Sequence, residues 1–384
     1  MSAPTNFFDE PQAAAVLKHG ILRRYLRPFV SKTGSTSKGR RVAYIDGYAG
    51  RGTYANGSPG SPLLAMEIAQ IVSSFGTIDG HLVEQDSASY DELKALVDGS
   101  ALGWNLYKGD VAEHLDDILA EIGDAPLFAF LDPFGLGLPV HMIEDKLLSR
   151  AGQMRGGRRV QGVATEVLLN FSWSGLRRNA GHLTSTSLDP AYLAVTRKSF
   201  IERTDAALGG DWWHHYWTAF PPGQREHEIT EGFLNRLRQC RGGWRVVSVP
   251  VSDRWRGPID YHLILLTQHP DGEWIFHEAL SNAMEEYRTF CFRQSGELDF
   301  EPLDARRAEW VSEIKMNVVR LLETGPFVVG ERMREVYGAT LTFARAMDVK
   351  EAVTQLHAEG KTDTKGTGDA QRMRVVPSTQ LRLL

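Results

Sequence analysis

Four carboxylates, Asp46, Glu84, Asp110 and Asp132, stand at the ends of four short β-prone runs, and glycine recurs beside them. The run Val42–Ile45 ends in Asp46. A turn with Gly47, Gly50 and Gly52 then leads through Ser61-Pro62 into an apolar helical pattern at Leu63, Leu64, Met66, Ile68 and Ala69. Strand, acidic strand end, glycine loop and helix in that order build the first crossover of a nucleotide-type α/β sheet. Glycine lets the backbone approach a ligand and take a tight turn. The spacing Asp46-x-x-x-Gly50-x-Gly52 departs from the Gly-x-Gly-x-x-Gly of dinucleotide sites, and an ordinary βα turn accounts for it equally well. Glu84, after Gly80–Val83, is placed to accept hydrogen bonds from two ribose hydroxyls; a plain surface carboxylate is the alternative. Gly109-Asp110, after Asn105–Lys108, would reach an adenine amino group, although Gly-Asp also makes common turns. Asp132-Pro133-Phe134-Gly135 closes the most apolar run, LFAFL. There a carboxylate, with the Leu131 or Pro133 carbonyl, can accept both N–H bonds of an exocyclic amino group. That holds the nitrogen in line for attack, and Phe134 offers a ring for a flipped base. An Asp-Pro turn that merely ends a strand is the competing reading.

The elements that must position these groups alternate along the chain. A helix is expected over Pro11–Phe29, its other face carrying Lys18, Arg23, Arg24 and Arg27; a solvated face is the ordinary reading, and a lid over the ligand pocket, from its place before the first strand, is the alternative. Helices follow at about 62–72, 89–97 and 111–122, between strands at 42–45, 80–83, 105–108 and 127–131. A fully apolar strand such as the last is buried on both faces, as in the centre of a parallel sheet. A helix over Leu138–Leu148 precedes a basic, glycine-rich loop with Arg155, Arg158 and Arg159, which are candidates for nucleic-acid contact. The strand Glu166–Phe171 is followed by a helical insertion at about 175–222. The runs Trp244–Val251 and Tyr261–Thr267 are expected to form an antiparallel hairpin, with a helix at 276–290 covering the end.

From about Leu303 three helical patterns (Ala308–Leu322, Gly330–Tyr337, Ala346–Ala358) precede two β-prone runs, Lys361–Lys365 and Arg372–Val376. Three helices and a hairpin describe a winged helix-turn-helix, with Lys350, Lys365, Arg372 and Arg374 as candidate phosphate contacts. Asp348, Glu351, Asp363 and Asp369 share the segment, and a protein-binding role fits it as well. The expected division is 1–302 and 303–384.

Composition bounds the rest. A chain of 384 residues with 42% hydrophobic and 24% charged residues is that of a globular protein. A net charge of −5 gives no overall attraction to nucleic acid, so any such contact must be local. Cys240 and Cys291 are too few and too distant in sequence for a zinc site or a disulfide framework. Adjacent His214 and His215 cannot readily share one ion from a helix, so no metal is expected. A cytoplasmic protein without a membrane span is the expectation.

The loop Asp46-Gly47-Tyr48-Ala49-Gly50-Arg51-Gly52-Thr53-Tyr54 resembles the methyl-donor loop of class I S-adenosylmethionine-dependent methyltransferases. Together with Lys18…Tyr25-Leu26, GSPL, VEQD, LDPFG and YHLILLT, it resembles the three-Cys-motif partner (TcmP) family over roughly residues 10–290. The C-terminal module resembles the winged module fused to members of that family. More distantly, the loop is similar to the J-type 23S ribosomal RNA adenine-N6 methyltransferases, whose Asp-Pro-Pro-Tyr differs here at Phe134 and Gly135. The resemblance implies a Rossmann-like seven-stranded methyltransferase sheet and S-adenosylmethionine as cofactor. It implies a donor site of Asp46, Gly47, Tyr48, Ala49, Gly50, Gly52, Tyr54, Glu84, Gly109 and Asp110. Asp132, Pro133 and Phe134 would form the reactive centre, and a three-cysteine, radical-S-adenosylmethionine-like companion would be a separate chain. The expected activity is methylation of nucleic acid on a base amino group. A catalytically silent adaptor binding nucleic acid or protein is the alternative. A nuclease would need Asp110 and Asp132 for Mg²⁺ instead of their donor-site roles.

Overall fold

In the computed structural model the described residues are 12–152, 154–155, 158–159, 162–186, 189, 192–296 and 301–379. They form two compact units. One comprises the described residues up to Ala15 together with Leu22–His269; the other comprises Val16–Ile21 with the described residues from Pro270 onward. The sequence-based boundary at 302/303 and this division differ by one helix. Pro270–Ser295 groups with the C-terminal helices because Trp274 joins their apolar cluster.

The first unit opens with α1 (Ala13–Gly34), continued in the second unit over residues 16–21. There follow β1 (Arg41–Asp46), α2 (Ser61–Val72), β2 (Thr77–Glu84), α3 (Ser87–Asp98), β3 (Asn105–Lys108), α4 (Val111–Ile122) and β4 (Leu127–Leu131). Next come α5 (Val140–Met142), which runs on as a π-helical segment Ile143–Leu148, and the two-residue strands β5 (Met154–Arg155) and β6 (Arg158–Arg159). β7 (Thr165–Phe171) is followed by α6 (Trp173–Ala180), α7 (Lys198–Leu208), α8 (Trp213–Ala219) and α9 (Pro222–Gln239). β8 (Arg245–Val251) and β9 (Tyr261–Thr267) complete the unit.

Seven strands form one sheet in the order β3-β2-β1-β4-β7-β9-β8, parallel from β3 to β7, with β9 antiparallel to both β7 and β8. This is an α/β Rossmann-like seven-stranded sheet, and its parallel order reverses between β1 and β4. The apolar runs of the sheet's centre are buried on both faces: every residue of the parallel strands β4 and β7, and of the antiparallel β9 beside them, is buried. Ala43, Ile45, Val83, Ala129 and Leu131 pack with Leu115 and Ile118 of α4 in one cluster. Tyr44 and Phe128 stack with ring centroids 6.3 Å apart, and Tyr25 of α1 lies 5.4 Å from Phe128. Buried Glu166 of β7 ties distant segments together, accepting from Tyr25 Oη at 2.5 Å and from Thr267 Oγ1 at 2.6 Å. The expected insertion is helical, comprising α6, α7 and α8, and β8 and β9 form the expected hairpin.

The second unit contains α10 (Pro270–Ser295), α11 (Leu303–Glu323), β10 (Phe327–Val328), α12 (Met333–Tyr337), α13 (Ala346–Ala358) and β11 (Arg374–Val375). Trp274, Val311, Ile314, Val318, Val336, Tyr337, Val349 and Val353 share its core. Asp348, fully buried at the start of α13, accepts from the Arg345 backbone N–H and pairs with Arg307 at 2.8 Å. The two expected terminal runs lie side by side, with a bridge at Thr362–Pro377, Asp363 N–H donating to Val376 O and Thr364 Oγ1 to Arg374 O, while β11 pairs with β10 (Phe327–Val375, Val328–Arg374) instead of extending that hairpin. Burial of Phe327 against Val375 holds that pairing, and Gly366 and Gly368 at positive φ turn the chain between the runs. Among the described residues no helix is long and apolar enough to cross a membrane.

Candidate active site

Parallel pairing brings the carboxyl ends of β1, β2, β3 and β4 to one edge, where Asp46 is level with Leu82 and Phe130. The chain leaves β1 through a closed loop. Gly47 N–H donates to Phe130 O, Ala49 N–H to Val83 O, and Gly60 N–H to Gly52 O. Gly47 must be small, since a Cβ would lie 2.8 Å from Leu131 Cδ2. Gly52 has φ +84°, and a Cβ there would meet Leu96 Cδ1 at 2.7 Å. Asp46 has no exposed surface. Its carboxylate accepts from Tyr48 N–H (3.3 Å), Tyr44 Oη (3.2 Å) and the Ser61 hydroxyl, so it fixes the loop instead of facing solvent. Burial raises its pKa to about 7, with the nearby charge of Asp132 adding to the shift and the three hydrogen bonds opposing it.

Glu84 closes β2 half-buried, and each oxygen holds one backbone donor: Gly50 N–H at 2.6 Å on Oε2 and Asp86 N–H at 2.6 Å on Oε1. Burial raises its pKa, and these backbone bonds oppose the rise. Gln85 N–H also bonds the carboxylate, so three backbone donors fix its direction and leave it capacity for about one further donor. Gly109 N–H donates to Glu84 O, drawing the end of β3 beside that of β2. Asp110 caps α4, Oδ1 accepting Ala112 N–H at 2.8 Å. The charge of Asp110 helps to raise the pKa of Tyr48, after burial.

At the end of β4, Asp132 Oδ1 accepts from Asn170 Nδ2 at 2.6 Å. Asn170 lies on β7, is 7% exposed, and its Oδ1 is buried with no hydrogen-bond partner. The loop Asp132–Gly135 is tightly packed. A Cβ on Gly137 would sit 2.5 Å from Pro133 Cγ and 3.2 Å from Tyr48 Oη, and one on Gly175 would sit 2.8 Å from Gly135 Cα. Gly175 belongs to the first turn of α6, whose cap Ser172 accepts Gly175 N–H at 3.0 Å. Phe134 is 40% exposed at the rim. Tyr54 feels the charge of Asp132, which adds to burial in raising its pKa.

The structure therefore gathers Asp46, Tyr48, Tyr54, Glu84, Asp110 and Asp132 at one sheet edge. Asn170, Ser61 and Ser172 are additions that sequence reasoning missed. An isolated Asn in an apolar strand was the available signal, since a buried amide needs partners. Arg155 and Arg158-Arg159 fall on β5 and β6, which pair antiparallel, and their side chains lie outside the described residues. In the second unit Lys350 is half-buried while Lys365, Arg372 and Arg374 are exposed, Arg372 lying 3.8 Å from Asp369. The basic face of α1 does not cover the glycine loop: Arg23, Arg24 and Arg27 adjoin Arg40 and Phe75, which precede β1 and β2, at the opposite edge of the sheet. Among the described residues no three His, Cys, Asp or Glu side chains gather as a metal would require.

No protein-family model and no curated protein matches the sequence. Among solved structures, a Legionella pneumophila protein of the family DUF519 is similar to this chain at 13% identity, covering 73% of this chain and 93% of its own, with a TM-score of 0.38. A Bacillus cereus O-methyltransferase in complex with S-adenosylhomocysteine (SAH) aligns at 13% identity over 64% of this chain and 80% of its own, TM-score 0.30. The Streptomyces achromogenes O-methyltransferase TomG, in complex with S-adenosylmethionine, aligns at 12% identity over 66% and 87%, TM-score 0.32. Likenesses this remote carry no assignment of substrate or activity.

Proposed function

We propose that this protein is an S-adenosylmethionine-dependent methyltransferase that modifies an amino group of a nucleic-acid base. The observation that carries the reading is Glu84. Its carboxylate is aimed by the backbone N–H groups of Gly50, Gln85 and Asp86 beside a glycine loop, at the strand end where a ribose hydroxyl would reach it. The tight loop at Gly47 and Gly52 and the unpartnered Asn170 Oδ1 fit a polar ligand laid along this edge. Bound there, S-adenosylmethionine would supply an electrophilic methyl group.

The chain's own residues do the rest by positioning. Asn170 fixes the Asp132 carboxylate through one oxygen, leaving the carboxylate further capacity to accept an N–H of the incoming amino group. The Leu131 or Pro133 carbonyl accepts the second N–H, which turns the nitrogen lone pair out of ring conjugation. Phe134, exposed at the rim, gives the base a face to stack on. The proton released on methylation leaves through Asp132 to water.

In the second unit, the order α11, β10, α12, α13, β11 supports a winged-helix reading, with exposed Lys365, Arg372 and Arg374 toward phosphate. A three-cysteine companion chain belongs to the same proposal, and co-purification with it is the check. Calorimetric titration of the full chain with S-adenosylmethionine and SAH tests the core claim. Micromolar binding, weakened at least tenfold in Glu84→Ala, is expected. If wild-type protein binds neither compound, the enzyme reading fails and an adaptor built on the same fold replaces it.

A further inference from the structure

The edge of the sheet opposite the candidate active site carries a second feature. A pocket of about 830 Å³ is lined by Arg23, Arg24, Arg27 and Arg40, together with Ser31, Ser35 and Phe75. α1 contributes the first three arginines, the turn before β1 contributes Arg40, and the turn before β2 contributes Phe75. Between Leu22 and Ile45 the sequence has seven Lys and Arg and no Asp or Glu, within a chain of net charge −5. Arg41 turns away to pair with Asp79. Arg23, Arg27 and Arg40 are exposed and have no carboxylate partner among the described residues. Arg40 is held at φ +55° directly after Gly39 at φ +68°, a left-handed pair unusual for a residue with a side chain.

We infer that this pocket binds the phosphate backbone of the nucleic acid whose base enters the opposite edge. The inference rests on the nucleic-acid substrate proposed above. Guanidinium groups crowded round one cavity repel each other until an anion enters, and their planar forks match phosphate oxygens. The serine hydroxyls add donors to the same oxygens, and the Phe75 ring gives an unstacked base a platform. The volume exceeds what a single phosphate fills and lies in the range that holds a nucleotide. The six residues of β1 separate the two edges by about 20 Å at roughly 3.3 Å per residue. At about 3.4 Å per phosphate, six or more nucleotides of a strand span that distance. The strand would pass over the first unit, anchored at one edge and presented at the other.

The test uses the full chain and anisotropy of a fluorescein-labelled 20-nucleotide RNA, and a DNA of the same sequence, from 50 to 200 mM KCl. Arg23→Gln/Arg27→Gln/Arg40→Gln is compared with the same triple substitution to Lys. The Gln variant is expected to bind at least tenfold more weakly, with a salt slope shallower by about 2, the loss of three phosphate contacts at about 0.7 each. The Lys variant is expected to keep most of the slope, and both should melt with the wild type. If wild-type protein binds the oligonucleotides and the Gln variant matches it in affinity and slope, the pocket inference falls while the nucleic-acid reading stands. If wild-type protein binds neither oligonucleotide, both fall together. Binding of inorganic tripolyphosphate without binding of either oligonucleotide would overturn the backbone assignment in favour of a free polyphosphate.

Discussion

Asp46→Asn offers a direct measure of how strongly the buried acid beneath the glycine loop strains the fold. The group's pKa rises from 3.8 to about 7 because burial removes water from its charged form. The folded state thus holds the proton more tightly than the unfolded chain does. Stability from this group is fully present below about pH 4 and is lost as pH rises toward 7, above which the deficit is constant. At 1.36 kcal/mol per pKa unit the whole deficit is about 4 kcal/mol, of which about 3 kcal/mol develops between pH 5 and pH 8. Asn keeps one acceptor for Tyr48 N–H and exchanges the other oxygen for a donor, an offset that does not vary with pH. Thermal melts of both proteins at pH 5, 6, 7 and 8 isolate the term. The melting temperature of the variant relative to wild type should rise by about 5–10 °C from pH 5 to pH 8, at about 2–4 °C per kcal/mol for a unit of this size. A difference that stays flat across that range would refute the claim that Asp46 is carried into the fold against its ionisation.

The other expectations are shorter. Asp132→Ala should abolish methyl transfer to an oligonucleotide while sparing SAH binding; unchanged turnover would remove Asp132 from the mechanism. Asn170→Leu removes a hydrogen bond to a charged group worth about 1.5–3 kcal/mol. Turnover should fall about 10- to 100-fold with donor affinity intact, and equal loss of both would recast Asn170 as purely structural. Gly80→Ala would place a Cβ 2.0 Å from Trp104 Cδ2, on the ring whose N–H donates to Ile78 O. Overpacking of that kind costs about 1–3 kcal/mol, and an unmoved urea midpoint would contradict the packing described for β2.

Much of the sheet was legible because strands buried on both faces leave continuous apolar runs, as in the parallel Leu127–Leu131 and the antiparallel Tyr261–Thr267, the latter with the expected bounds. The carboxylates at the strand ends were legible because each apolar run stops at a charged residue. What Asp46 does was not. Its complete burial comes from Tyr44, Tyr48 and Ser61 closing over it, and a strand-end Asp reads alike whether it faces a ligand or a loop. Asn170 escaped because its partner lies 38 residues away across β4 and β7. The β10–β11 pairing escaped because two-residue strands are too short to produce alternation. The arginines of α1 were visible as a basic face, but which sheet edge they occupy depends on how Tyr25 and Phe29 of α1 lie against Phe128.

The Glu166 bridge bears on how the chain is made. Its second donor, Thr267, follows 101 residues later, and at about 5–20 residues per second the ribosome takes about 5–20 s to deliver it. Throughout that interval the strands from β3 to β7 can assemble, yet β7 keeps an open apolar edge and β8 has no neighbour, because β9 must enter between them. Nascent chains therefore carry a pairing-competent edge that invites association with other chains. A product cut short before Tyr261 would hold that edge permanently, with Glu166 deprived of one of its two hydroxyl donors.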